Sequence, residues 1–194
     1  MRLIVCLLIS CLGTVAIVSA QDKPKRFDST MKLGKSGYRV ICRNTKPDRN
    51  NITVSPIGFE KDVRDFNFEI PGRLRKAEVD DLNRDGFPDL VLYVFPEDSL
   101  ERGNVIGIAS EKNETVAPIS FPDIYNEPKF REGYRGHDSF ALMEGFLVRR
   151  FPVYDAVHPD QEPVNTRQIT YRVVPGETGG YQFKAVRSYD FARK

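Results

Sequence analysis

The chain has 194 residues, and its 29 Lys and Arg against 27 Asp and Glu give a formal net charge of +2. A hydrophobic fraction of 40% is typical of a globular protein and excludes a disordered or collagen-like chain. A charge so close to neutrality predicts no large basic patch and no binding of nucleic acid. Three cysteines and two histidines exclude a disulfide scaffold and disfavour a zinc site, so any bound metal should have oxygen ligands.

The first 20 residues have the anatomy of a secretory signal peptide. Arg2 precedes an apolar run from Leu3 to Val18, and Ala20 closes the small-residue site that signal peptidase requires. The run is shorter than the roughly 20 residues of a membrane-spanning helix, so we expect cleavage after Ala20 and no membrane span. A lipoprotein signal at Cys11 is the alternative, but the apolar run continues beyond that cysteine. The predicted location is the periplasm or the extracellular space.

Cleavage would leave Cys42 as the one cysteine of the mature chain. A lone thiol in an oxidising compartment is either buried in the core or free to form an intermolecular disulfide, and the neighbours Val40 and Ile41 favour the core. The mature chain is long enough to bury one hydrophobic core. We therefore predict a signal peptide over residues 1–20, a flexible tail over 21–30 and a single β domain over 31–194.

Apolar side chains alternate with polar ones along much of the chain, which predicts β-strands. Residues 66–70 alternate in this way before a Pro-Gly turn, and residues 169–173 do the same. A glycine-rich turn at 175–180 then leads to a last strand beginning at Tyr181, which indicates a C-terminal hairpin. The expected fold is all-β, a single antiparallel sandwich-like domain of about ten strands.

One strand should lie at the centre of the fold. Residues 90–95 are apolar at every position, and a strand tolerates this only when both of its faces are covered. Residues 105–109 are its predicted neighbour, and residues 140–148 are predicted to form a further hairpin around Glu144-Gly145. Residues 123–138 and 155–165 carry proline, glycine and charge without periodicity, so we expect long surface loops there.

The most specific local pattern in the chain is an acidic loop. It places oxygen-bearing side chains at loop positions 1, 3, 5 and 9, with Gly86 at position 6, in the manner of a calcium-binding loop. The predicted ligands are Asp81, Asn83, Asp85, the carbonyl of Phe87, and Asp89. The flanking strands exclude an EF-hand, and the loop resembles the calcium-binding connection of FG-GAP-type β modules. The alternative is a metal-free turn in which Asp and Asn side chains bind their own backbone.

The sequence contains none of the common catalytic motifs. It has no GxSxG elbow, no phosphate-binding glycine loop and no HExxH. An alternative hypothesis is an enzyme that uses the polar segment GYRGHD, which contains Tyr134, Arg135, His137 and Asp138. We expect a non-enzymatic protein instead.

Three stretches of the chain resemble the periplasmic inhibitors of invertebrate-type lysozyme from Gram-negative bacteria. They are AEVDDLNRDGFPDLVLYV, GYRGHDSFALMEGFLVRRFPVY and TRQITYRVVPGE, and the likeness runs from about Asn51 to Tyr189. The resemblance implies a compact all-β protein, often a homodimer, that plugs the substrate cleft of a lysozyme with a loop following the acidic segment.

The inhibitory loop of that family typically carries SGxY. In residues 96–103 of this chain Ser99 matches the serine, Leu100 replaces the glycine, and Arg102 stands where the tyrosine would be. Because lysozyme clefts carry two carboxylates, the Ser99 hydroxyl and the Arg102 guanidinium could both address them. The alternatives are an ordinary charged hairpin at this position, and a module that binds another extracellular protein or a glycan.

Overall fold

The structure is a computed structural model that describes residues 25–158, 160–177 and 179–193. The predicted signal peptide lies outside the described residues, so its cleavage stays a prediction. Within the described ranges, no helix is long and apolar enough to cross a membrane.

Almost all of the regular structure is β, as predicted, and it forms two sheets. The four strands of the smaller sheet are β1 (Phe27–Leu33), β2 (Ser36–Cys42), β3 (Asn50–Ile57) and β4 (Phe66–Ile70). The larger sheet has eight strands: β5 (Arg73–Asp80), β6 (Asp89–Phe95), β7 (Asn104–Glu111), β8 (Thr115–Ser120), β9 (Ser139–Met143), β10 (Phe146–Val153), β11 (Asn165–Pro175) and β12 (Tyr181–Ala192). The twelve strands found here compare with about ten expected.

The two sheets are built from three consecutive antiparallel meanders of four strands each. The smaller sheet is the meander β1–β4. In the larger sheet the meanders β5–β8 and β9–β12 lie side by side in the order β5-β6-β7-β8-β12-β11-β10-β9. They are joined by a short parallel pairing of β8 with β12, which departs from the purely antiparallel sheet expected.

The larger sheet curls until its two edge strands, β5 and β9, face each other, and we call it the rolled sheet. Acidic side chains of β5 bridge this seam: Glu78 Oε2 accepts from the Leu142 N–H at 3.2 Å, and Asp80 Oδ2 accepts from the Gly145 N–H at 3.0 Å. The hydroxyl of Tyr93 also donates to Glu78 Oε2 at 2.6 Å. The roll therefore closes through side chain–backbone bonds instead of a continuous backbone ladder.

Strand β6 is the central strand that the sequence predicted. One face points into the rolled sheet, where Val91, Tyr93 and Phe95 join the larger hydrophobic core. The alternate residues belong to a second core between the rolled sheet and the smaller sheet. Every residue of β6 is buried, because side chains pack against both faces.

The second core fixes the smaller sheet on the outside of the roll. It contains Val40, Cys42, Ile52 and Val54 from the smaller sheet and the outward side chains of β5, β6 and β7. The expected core position of Cys42 is confirmed, since the side chain is buried and its thiol donates to Asn44 Oδ1 at 3.1 Å. Burial raises the pKa of this thiol.

The structure differs from the sequence expectations at two segments. Strand β1 starts at Phe27, inside the range assigned to the tail, because residues 27–33 pair along their whole length with β2. The segment 123–138, expected to be an irregular loop, contains the 3₁₀ turn Ile124–Asn126 and the one-turn helix α1 (Pro128–Arg131). Asp123 starts this turn by accepting from the Tyr125 N–H, which is ordinary N-capping.

A buried asparagine connects the smaller sheet to the edge strand of the roll. Asn44 follows β2, its backbone has a φ of 52°, and its amide nitrogen donates to the Leu74 carbonyl at 2.9 Å. Its amide oxygen accepts from the Leu74 N–H at 2.9 Å. The side chain thus imitates a strand residue opposite Leu74, whose polar groups would otherwise be buried without partners.

We predict that Asn44→Ala lowers the free energy of unfolding by about 2 to 4 kcal/mol, because it leaves the buried N–H and carbonyl of Leu74 without hydrogen-bond partners. Chemical denaturation measures this change. Asn51→Ala, at an exposed position of β3, is the matched control and should change stability by less than about 0.5 kcal/mol. Equal losses in the two variants would contradict the role of Asn44.

Candidate functional site

The two loops that the sequence singled out lie at opposite ends of β6. The acidic loop, residues 81–88, precedes the strand, and the connection of residues 96–103, which we call the 96–103 loop, follows it. Seven strand residues at about 3.3 Å each separate them by roughly 20 Å. The two loops are therefore too far apart to form a single site.

The 96–103 loop is held from behind by the segment 133–138. The His137 N–H donates to the carbonyl of Leu100, and the Asp138 N–H donates to the carbonyl of Glu101 at 3.2 Å. The Gly103 N–H donates to Asp138 Oδ2 at 2.9 Å. These three bonds fix the backbone of the second half of the loop, from Leu100 to Gly103.

Ion pairs occupy two of the loop's acidic side chains. Arg73 pairs with Glu97 at 2.9 Å, and Arg75 pairs with Glu101 at 2.7 Å. Both pairs are substantially exposed, so each stabilises the loop only weakly.

The predicted inhibitory residues divide into two groups. Leu100 is half-buried and serves as an anchor through its carbonyl, whereas Ser99 and Arg102 are exposed. Neither of these two side chains has a partner within the described part of the chain. The loop therefore offers one hydroxyl and one uncompensated cation to its surroundings.

The anchoring segment is itself fixed by a buried ion pair. Arg149 Nε donates to Asp138 Oδ1 at 2.7 Å and its Nη2 donates to Asp138 Oδ2 at 3.0 Å, with both side chains almost fully buried. The Tyr134 hydroxyl donates to the same Oδ2 at 2.6 Å. Burial alone would lower the pKa of Arg149, but the bonds to Asp138 keep that pKa above its ordinary value. Such a pair is costly to break, since either charge alone would be buried without compensation.

Aromatic rings surround the buried guanidinium. Its central carbon lies 5.0 Å from the ring centre of Tyr134 and 5.5 to 5.8 Å from those of Phe121, Phe140 and Phe151. Ring faces attract cations, so this cage offsets part of the lost hydration. Phe140 also packs so closely against Gly103 that a side chain there would overlap its ring.

These contacts give the GYRGHD segment an anchoring role. Tyr134 and Asp138, two of the residues in the enzyme hypothesis, point into the core and bond to Arg149. His137 is partly exposed, with Nδ1 4.0 Å from a carboxylate oxygen of Glu101. Sequence reasoning missed Arg149 as the partner of Asp138.

The acidic loop is organised by bonds from its own backbone. Asp81 accepts from the Asp85 and Gly86 N–H groups at 2.9 and 3.0 Å, and Asp85 accepts from the Phe87 N–H at 3.0 Å. Gly86 has a φ of 89°, a left-handed conformation that favours glycine. Asn83 accepts from the Asp85 N–H at 3.1 Å and donates to an Asp85 carboxylate oxygen at 3.1 Å.

The fourth predicted ligand, Asp89, is fully buried at the start of β6. One carboxylate oxygen accepts from the Leu82 and Asn83 N–H groups, and the other accepts from the Ser110 N–H, all at 2.9 to 3.1 Å. Burial raises the pKa of Asp89 to about 7, although the three N–H donors oppose the shift by favouring the charged form. This carboxylate connects the acidic loop to β7.

Calcium binding by the acidic loop stays a prediction. Among the residues that the structure describes, no group of three or more His, Cys, Asp or Glu side chains forms a metal-holding cluster. The observed bonds give the loop a defined shape through its own N–H groups, and both oxygens of Asp89 are committed to them.

The structure also shows a basic and aromatic surface that the sequence analysis did not identify. It lies on the outer face of β9–β12, around a shallow cavity of about 630 Å³. Tyr189 and Phe191 are 45% and 40% exposed there, and the cavity lining includes Arg150, Arg193 and His137. The available signal was the composition of the four strands, which contain six Lys or Arg and a single acidic residue.

The comparisons with known proteins provide no family assignment. No protein-family model matches the chain, and no curated protein matches it significantly. The resemblance to lysozyme inhibitors therefore rests on the three quoted stretches alone, and an inhibitory function is a proposal.

We predict that the raised pKa of Asp89 makes the protein lose stability as pH rises from about 4 to about 7. In this window the unfolded chain has released the Asp89 proton while the folded chain retains it, so the free energy of unfolding falls, by at most about 1.4 kcal/mol per pH unit. Denaturant unfolding at several pH values measures the slope. Asp89→Asn should flatten it, and the exposed Asp62→Asn should leave it unchanged. An unaltered slope in Asp89→Asn would contradict the assignment.

We further predict that Gly136→Ala disrupts the anchoring of the 96–103 loop. Gly136 has a φ of 100°, and an added Cβ would overlap the carbonyl oxygen of Leu100. Gly34→Ala is the matched control, since Gly34 also has positive φ but open space around the added carbon. Gly136→Ala should cost at least about 2 kcal/mol more than the control and should speed hydrogen exchange at the His137 amide. Equal effects of the two variants would show that the contact is unimportant.

Proposed function

We propose that this protein is an exported, non-enzymatic binding protein that inhibits a lysozyme by inserting the 96–103 loop into the enzyme's substrate cleft. The observation that carries the proposal is the loop's construction: its backbone is fixed by Asp138 and its neighbours, while Ser99 and Arg102 are exposed and unpaired. A loop that is ordered before it binds loses little conformational entropy on binding, which favours affinity.

The charges of the loop support a target site rich in carboxylates. Glu97 and Glu101 are paired with Arg73 and Arg75, and the Asp98 carboxylate accepts from the Leu100 N–H at 3.1 Å. Arg102 is therefore the cation of this loop without a carboxylate partner among the described residues. A lysozyme cleft contains two catalytic carboxylates, and a guanidinium forms strong charge-assisted bonds with such groups.

The resemblance to inhibitors of invertebrate-type lysozyme supports the same target class. It covers the strands on both sides of the acidic loop and the segment 133–154, which contains the anchor of the 96–103 loop. Leu100, which replaces the glycine, is half-buried, and its carbonyl accepts from the His137 N–H. Export is supported by the signal-like N-terminus, and a homodimer stays a prediction of the resemblance.

We predict that the purified protein inhibits an invertebrate-type lysozyme and that Arg102→Ala raises the concentration needed for half-inhibition at least tenfold, about 1.4 kcal/mol. The measurement is lysis of bacterial cell walls at increasing protein concentration. Arg64→Ala removes an exposed arginine next to the smaller sheet, so it matches the change in net charge and should act like the wild type. Identical lysis curves with and without the protein would refute the proposed function.

A further inference from the structure

The strands β9–β12 are strongly basic, unlike the rest of the chain. The four strands contain six cationic residues and one acidic residue, Asp190. Arg149 is paired inside the roll with Asp138, and Arg167 is paired with Asp190 at 2.7 Å. The other four cations have no acidic partner among the described residues; they are Arg150, Arg172, Lys184 and Arg187.

Strand register places polar and aromatic side chains in two neighbouring rows across this face. In one row Ser139, Arg150, Gln168 and Tyr189 lie opposite one another on successive strands. In the next row Pro152, Thr166 and Phe191 do the same. All seven line the same shallow cavity of about 630 Å³, together with His137 and Arg193.

Arg150 is held in place by neutral groups. Its Nε donates to Gln168 Oε1 at 2.7 Å, and its Nη2 lies 3.8 Å from the sulfur of Met143. Arg193 also lines the cavity, whose lining contains no carboxylate. The guanidinium of Arg150 is thus oriented without being neutralised, which suits it to binding a carboxylate from outside.

Two aromatic rings lie beside these cations. The ring centres of Tyr189 and Phe191 are 6.0 Å apart with the ring planes at 43°. Exposed aromatic rings next to oriented polar groups suit a ligand that has both apolar faces and polar edges. Sugar rings have this character, with C–H groups on their faces and hydroxyls at their edges.

We propose that the outer face of β9–β12 binds a carboxylate-bearing polysaccharide. The sugar rings would pack on Tyr189 and Phe191, and the carboxylates would contact Arg150 and Arg193. The observations favour a glycan over the alternatives: nucleic-acid binding domains are strongly basic overall, whereas this chain has a net charge of +2. A cavity of about 630 Å³ is in the size range of ligand-binding sites, whereas a stable protein interface covers roughly 800 Å² on each partner. The cavity lining contains neither Ser99 nor Arg102, although His137 both lines the cavity and donates to the Leu100 carbonyl. The inference does not depend on insertion of the 96–103 loop into a lysozyme.

The test is isothermal titration calorimetry of the purified protein with oligogalacturonate. We expect binding that weakens as salt rises, and no binding of the neutral glucan dextran. The double variant Arg150→Gln/Arg193→Gln should lose at least tenfold in affinity, and Tyr189→Ala should lose severalfold at unchanged charge. The matched control Lys35→Gln/Arg64→Gln removes two exposed cations beside the smaller sheet and should stay within twofold of the wild type.

Several outcomes would overturn the inference. They are no binding of oligogalacturonate, equal losses in the two double variants, unchanged affinity in Tyr189→Ala, or tighter binding of a thymidine oligonucleotide of equal charge. Thermal unfolding confirms that each variant is folded, as expected because Tyr189 and Arg193 are exposed and the half-buried Arg150 is replaced by a polar side chain. Lysozyme inhibition measured on Arg150→Gln/Arg193→Gln should equal that of the wild type, so failure of this inference is distinguishable from failure of the proposed function.

Discussion

The geometry of the candidate inhibitory loop depends on the need to compensate one buried charge. Arg149 points into the aromatic core of the rolled sheet, where an unpaired guanidinium would be severely destabilising. Asp138 supplies the compensating carboxylate, and the lone pairs that Arg149 leaves free accept from Tyr134 and Gly103. The same contact that neutralises the core therefore fixes both ends of the segment 133–138 and the end of the 96–103 loop. The 96–103 loop at the surface is therefore held in place by an ion pair in the interior.

Sequence patterns predicted the parts of the fold that depend on local alternation. The continuous apolar run at residues 90–95 marked a strand covered on both faces, and the turn residues Glu144-Gly145 and 175–180 marked two hairpins, all of which are present. The order of the strands could not be predicted, because the parallel pairing of β8 with β12 joins Ile119 with Tyr181 and Ser120 with Gln182, residues that are far apart in the sequence. No local pattern encodes such a pairing.

The candidate site was also predictable only in part, because several of its contacts join residues that are far apart in the sequence. Ser99 and Arg102 were identified from the resemblance of residues 96–103 to the SGxY loop of lysozyme inhibitors, and the structure leaves both exposed. Leu100 was grouped with them, yet its carbonyl is an anchor for His137, which lies far along the sequence. The basic outer face of β9–β12 was not predicted, because the net charge of the chain sums the basic and acidic residues of all its surfaces. Alternation along β10 and β12 sends Arg150 and Arg187 to one side, and only the assembled sheet brings them together.

The division into three meanders has a consequence for how the chain folds. Each meander closes through hairpins between strands that are neighbours in sequence, and such contacts form quickly because little chain entropy is lost in closing short loops. The rolled sheet requires two of these units to meet along β8 and β12, where the registered pairing is only two residue pairs long. Assembly should therefore be hierarchical, with the hairpins forming early and the junction of the two halves setting the rate. That junction is also the natural line along which the molecule would come apart under mechanical load.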